Sequence, residues 1–238
     1  MTSTTQLGQN VVIGKNVIFG ENVIIGNNVV IYDESNIGSN VIIQDNVVIG
    51  KQPTRAKASI LPETKKLSPA IIGNGVTIGT SSIIYANAEI ADEVFVADLA
   101  TIRERVVVGE QTIVGRGVAI ENDCKVGTRC KLETNCYITA YSEIEDNVFI
   151  APCVVTTNDN FMGRSKERFD KFKGVTVKTG GRIGANATIL PGKVIQEDGA
   201  VAAASVVTKD VQKEELVVGS PAKKIRNVPE NQLLRNQG

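Results

Sequence analysis

Ile72-Gly73-Asn74-Gly75-Val76-Thr77-Ile78-Gly79-Thr80-Ser81-Ser82-Ile83-Ile84 opens a stretch, running on to Val155, that decides the fold. Through it an aliphatic residue returns every six positions: Ile72, Ile78, Ile84, Ile90, Val96, Ile102, Val108, Val114, Ile120, Val126, Leu132, Ile138, Ile144 and Ile150. Four positions after each anchor comes a smaller or second inward-pointing residue, as at Val76 and Val118. A period of six matches neither the 3.6 of a helix nor simple strand alternation. It predicts a solenoid in which a short strand covers a flat face, a corner of Gly, Asn or Asp turns the chain, and three hexads close one triangular coil. Residues eighteen apart then stack at about 4.8 Å, so that Ile84, Ile102, Ile120 and Ile138 form one internal ladder. An antiparallel sandwich would show alternating runs and variable turn spacing instead.

The anchors continue upstream as Leu7, Ile13, Phe19, Ile25, Ile31, Ile37, Ile43 and Ile49, and downstream as Val177, Ile183, Ile189, Ile195, Val201 and Val207. This pattern resembles the hexapeptide repeat of the left-handed β-helix acyltransferases. The handedness is implied by that resemblance alone, because crossovers between parallel strands are ordinarily right-handed. The expected fold is therefore all-β: a left-handed parallel β-helix with three strands per coil, spanning residues 1–226. Residues 227–238, with Pro229 suited to a first helical turn, read as a short C-terminal helix and tail.

Two breaks interrupt the register and predict excursion loops at about 51–70 and 157–176. The first holds five basic residues against one acid between Lys51 and Pro69, a composition suited to a phosphate-facing arm. The second carries six basic residues from Arg164 to Lys178 with Phe161, Phe169 and Phe172 interleaved, too long and too apolar for a passive turn. Thr157-Asn158-Asp159 at its start, Gly184 to Gly192 where the coil resumes, and Val218 to Lys223 at the end resemble, in that order, the nucleotide-sugar N-acyltransferases of the superfamily.

Basic and acidic residues number 26 each, so no global field recruits nucleic acid or an anionic membrane. The start of the chain lacks the pattern of a signal peptide and no apolar run approaches a membrane span, which makes the cytoplasm the expected compartment. Cys124, Cys130 and Cys136 fall six apart in the small inward slot and read as buried thiols, their spacing unlike a zinc site; no metal is expected.

Histidine is absent. A γ-type carbonic anhydrase, which shares the fold, needs histidine ligands and is excluded; a sugar-phosphate nucleotidyltransferase would need a further α/β domain. Members of the superfamily that acylate hydroxyls typically use a histidine base, so the expected acceptor is an amine, whose neutral form attacks unaided. The resemblance implies an acyl-coenzyme A donor and a dTDP- or UDP-linked amino deoxysugar, bound in a homotrimer. It assigns Asn158 and Asp159 to the sugar or its amino group, although the pair also suits an Asx-type turn. Asp98, in an apolar setting, and Glu121, in the corner column of Thr139 and Thr157, are further candidates. Small residues that admit a pantetheine chain are Gly181, Ala185, Ala202, Ala203 and Ala204, while Lys223, Lys224 and Arg226 suit the phosphorylated adenosine. An N-acyltransferase for an amino-acid-type amine such as tetrahydrodipicolinate, and a non-catalytic β-helix scaffold, are the alternatives.

Overall fold

The computed structural model describes residues 5–54, 56–57 and 66–237. Almost every strand is two residues long, and the strands fall into three sheets of twelve, ten and nine. The first begins at Gln6–Leu7, the second at Val12–Ile13 and the third at Ile18–Phe19, so successive hexads visit the three faces in turn. The solenoid strands pair in parallel at a spacing of eighteen: Ile84 opposes Ile102, which opposes Ile120, which opposes Ile138. All four side chains are fully buried. Each contributes about 1.5–3 kcal/mol of transfer free energy, which in a solenoid is shared only with the coils above and below.

The corners explain the Asn, Asp and Gly content. The residue before nearly every small inward slot adopts a left-handed conformation, as at Asn22, Asn28, Asn87 and Asn147, which Asn tolerates and most residues resist. Corner carboxylates then bond the backbone one coil earlier. Asn27, Asn74 and Thr128 donate their N–H groups to Asp45, Asp92 and Asp146 at 2.6, 2.7 and 2.7 Å. Asp98 belongs to this ladder. Its Oδ1 accepts from Thr80 N at 2.9 Å, and a Cβ on Gly79 would lie 2.6 Å from the same oxygen. The apolar setting expected of Asp98 is not found, because corner residues project outward: Asp98 is exposed, and its neighbour Leu99 is 59 % exposed at φ 61°.

Hydroxyls occupy several inward slots and are satisfied by backbone. Thr156 stands where the sixth position after Ile150 calls for an anchor, fully buried, donating to Tyr137 O at 3.0 Å and accepting from Thr139 N at 2.8 Å. The coil thus continues one hexad beyond the last aliphatic anchor before the loop.

The C-terminus departs from expectation. Glu215–Gly219 joins the first sheet and pairs antiparallel with Ala222–Asn227, a hairpin that the hexad count did not predict, and the short helix expected after it takes the form of two 3-10 turns, Glu230–Gln232 and Leu234–Asn236. Val228 and Leu233 pack on Ala200 and Leu216 to cap that end. At the opposite end Leu7, Val12 and Ile13 remain exposed.

Candidate functional site

Both excursions leave the solenoid at one edge. Ile49 lies on the second sheet and Ile72 on the third; Thr156 lies on the second and Val177 on the third. Between the two excursions four corners stack along that edge: Tyr85-Ala86-Asn87, Arg103-Glu104-Arg105, Glu121-Asn122-Asp123 and Thr139-Ala140-Tyr141. Their backbones are tied in series, Arg105 N to Asn87 O at 2.9 Å, Asp123 N to Glu104 O at 3.2 Å and Tyr141 N to Asn122 O at 3.2 Å.

Glu104 is the centre of this column, with its side chain 7 % exposed. Arg103 donates to it through Nε at 2.9 Å and Nη2 at 3.2 Å. Arg105 approaches it at 4.0 Å while gripping Asp123 through Nε at 2.6 Å and Nη2 at 2.8 Å. The Arg103 guanidinium also lies 4.7 Å from the centre of the Tyr85 ring, which Lys51, at the neck of the first excursion, approaches at 5.4 Å. Burial works to lower the Arg103 pKa, but the hydrogen bond and charge of Glu104 and the charge of Glu121 raise it overall. The Arg105 hydrogen bond pulls Asp123 below the usual carboxylate range. Lys51, Arg103 and Arg105 thus balance Glu104, Glu121 and Asp123, and both arginines stay charged.

Glu121 is the least committed carboxylate of the column. Its one ion pair is a 3.5 Å contact with Arg103, and its side chain is a quarter exposed. Tyr137 stands beside it, its hydroxyl pKa raised by burial and by the Glu121 charge.

Asp159 faces inward to its own loop. Its carboxylate accepts from Phe161 N at 2.8 Å, Gly163 N at 3.0 Å and Arg168 Nη1 at 3.1 Å. The Gly163 amide is the largest influence holding its pKa below the usual value, with Phe161 N–H and the Arg168 charge adding to it. Arg168 in turn covers Phe169 and Phe172, at 4.9 and 5.5 Å. Asn158 anchors the far side of the excursion, its carbonyl accepting from Lys173 N at 3.2 Å.

A hexapeptide-repeat family described as "Bacterial transferase hexapeptide (six repeats)" matches residues 4–35. A protein of Staphylococcus aureus (strain MRSA252), named a "Putative acetyltransferase", is 36% identical over 69 residues, 29% of this chain and 34% of that protein. One of the same description from Schizosaccharomyces pombe is 48% identical over 46 residues, 19% of this chain and 22% of that protein. The matches to these curated relatives thus span about a third of their length or less. The solved structure of Arabidopsis UDP-N-acetylglucosamine acyltransferase superposes on 98% of this chain and 76% of its own, with a TM-score of 0.56 and 18% identity, a likeness of fold alone. The family match itself thus rests on residues 4–35, while the six-residue repeat runs on through the three sheets of the solenoid.

Within this hexapeptide-repeat chain the remaining candidates divide between edges. Ala185 and Ala202 to Ala204 share the edge between the first and second sheets, where Ala204 N donates to Ala185 O at 2.8 Å. Gly219 N bonds Ser205 Oγ at 3.1 Å and brings the hairpin that carries Lys223, Lys224 and Arg226 to the same end. Lys224 pairs with Glu215 at 2.7 Å. Gly181 is separate, at the edge between the third and first sheets, where a Cβ would meet Val177 Cγ1 at 2.7 Å; it serves close packing. Of the first excursion's basic residues, Arg55 and Lys65 lie outside the described residues. Its neck is closed by the Gln52 amide, which bonds the Leu67 carbonyl at 3.0 Å and amide at 2.9 Å.

Cys124, Cys130 and Cys136 are buried, and burial pushes the thiols of Cys124 and Cys136 up to about 12, which leaves them unfit as nucleophiles. Among the described residues no cluster of metal-ligating side chains occurs, and no helix is long and apolar enough to cross a membrane.

Proposed function

We propose that this protein is an acyl-coenzyme A-dependent N-acyltransferase whose acceptor is the amino group of a dTDP- or UDP-linked deoxysugar. The observation that carries the reading is the column between the two excursions: polar, partly open, without histidine, and holding one carboxylate, Glu121, that is not saturated by donors. An amine needs no base to become a nucleophile once neutral, whereas a sugar hydroxyl does. Glu121 accepts a hydrogen bond from the amine, and Asn158 borders the sugar at the mouth of the second excursion. Asp159 acts through the loop it folds. The neutral nitrogen attacks the thioester carbonyl, the tetrahedral intermediate expels the coenzyme thiolate, and the nitrogen's surplus proton passes to that thiolate. Positioning is the main contribution of the protein, and holding two reactants together is worth several kcal/mol.

The donor runs along the edge of Ala185 and Ala202 to Ala204, with Lys223 near its phosphates. Across one subunit the face of the second sheet separates that edge from the column. The two come together between neighbouring copies of a homotrimer, and a trimer mass in light scattering is the expected outcome.

The test is acyl transfer to a panel of dTDP- and UDP-linked 3-amino and 4-amino deoxysugars with their hydroxyl counterparts, read as free thiol. Transfer to an amino sugar alone is expected, with a rate that rises with pH as the sugar ammonium deprotonates and then levels. Glu121→Ala lowers it at unchanged melting temperature. Robust O-acylation, or no transfer to any amine, overturns the proposal.

A further inference from the structure

Two adjoining hollows of about 350 and 360 Å³ lie under the C-terminal tail on the outer face of the first sheet, sharing Phe149, Arg182 and Gln232. One is largely apolar, walled by Phe149, Leu216, Val228 and Pro229. The other holds three cations, Arg129, Lys131 and Arg182, against the single carboxylate of Asp198, whose Oδ1 already accepts from Leu234 N at 2.9 Å. None of the three cations has a carboxylate partner among the described residues; Arg129 Nε donates to Asn147 Oδ1 at 3.0 Å.

Arg182 is the most unusual of them. Its Nε is the one buried side-chain nitrogen or oxygen among the described residues that lacks a hydrogen-bond partner. Its Nη1 reaches only a long 3.5 Å contact with Gln232. A buried donor left unmet is costly, and a guanidinium left so beside a cavity is poised for an anion. The register fixes the spacing: Lys131 pairs with Phe149 and Phe149 with Arg182, so the two cations flank the aromatic position at about 4.8 Å per strand. Volumes of this size suit a small ligand.

We propose that this groove binds a nucleotide, with its phosphate on Arg182, Lys131 and Arg129 and its planar ring in the apolar hollow beside Phe149. Within one subunit the first sheet is the side of the triangle opposite the edge that carries Glu104 and Glu121, so this is a second site. Its nucleotide comes either from the phosphoadenosine end of a coenzyme or from a pyrimidine nucleoside diphosphate. The proposal stands apart from acyl transfer, because binding is read without turnover.

The full chain is titrated calorimetrically with 3′,5′-adenosine bisphosphate and separately with dTDP. At least one is expected to bind, and Arg182→Gln and the exposed Lys131→Ala each to weaken it tenfold or more at unchanged melting temperature, while Glu121→Gln leaves it as in the unaltered protein. Tighter binding of the bisphosphate identifies a coenzyme source and tighter binding of dTDP a sugar-nucleotide source. If Arg182→Gln does not fold, Lys131→Ala decides. Failure of both probes to bind, or full affinity in the variants, overturns the groove. Binding through Arg182 in a protein that transfers no acyl group upholds it and removes the proposed function.

Discussion

With Arg103 on one side and Arg105 on the other, Glu104 keeps two guanidiniums in adjacent positions that would otherwise repel. Removing it as Glu104→Ala leaves those charges short of a partner. Because both arginines are about one-third exposed, water recovers part of the loss, and the expected cost is about 1–3 kcal/mol by chemical denaturation. The pair beside it adds a pH signature. Asp123 is held below its ordinary carboxylate value, so its pairing with Arg105 stabilises fully above about pH 4 and is lost as pH falls through the depressed value. The stability gap between the unaltered protein and Arg105→Ala should accordingly be constant at neutral pH and close below about pH 4; a gap independent of pH would remove the pairing from the account. Glu121 was legible in the sequence because its column could be counted from the period. Arg103 and Glu104 were not, since a corner of alternating charge looks like any solvated turn until the coil shows which way each side chain leans.

The second excursion is an element organised by one side chain. Asp159 collects two backbone amides and Arg168, and Arg168 carries two phenylalanines with it. Asp159→Asn keeps an acceptor but loses the charge that holds Arg168. The loop, rich in lysine and arginine, should then be nicked by trypsin several times faster, while the melting of the solenoid is unchanged. Equal nicking of both proteins would show that the phenylalanines alone hold the loop. Its existence and length followed from a broken period. That Asp159 turns toward its own loop did not, because Thr-Asn-Asp is at once a site signature and an Asx turn, and only the positions of the Phe161 and Gly163 amides distinguish them. The C-terminus was legible in part: Pro229 precedes a short helical turn, Glu230–Gln232, whereas the hairpin before it depends on Leu216 finding a sheet edge beside Ala200, which no spacing announces.

At the scale of the molecule the six-residue period made nearly all of the solenoid legible, since each coil repeats the same burial problem and the same solution. What the period could not convey was that both excursions share an edge, a fact that emerges only when hexads are counted into faces through Thr156, whose hydroxyl hides an anchor. The same one-dimensional construction governs stability. Each coil contacts only its neighbours, so a lesion costs whatever its own coil and two interfaces lose. Ile120 is fully buried with coils on both sides, and Ile120→Ala should cost about 2–5 kcal/mol. Leu7 is 55 % exposed on the open first coil, and Leu7→Ala should cost well under 1 kcal/mol by the area it leaves buried. Urea unfolding of the two variants checks this. The interior change should also split the transition, because a weakened middle coil uncouples the halves on either side, whereas the end variant should unfold in the same single step as the unaltered protein. Equal costs at the two positions would mean that the first coil is covered in solution, and that the apolar end formed by Leu7, Val12 and Ile13 is buried in an assembly.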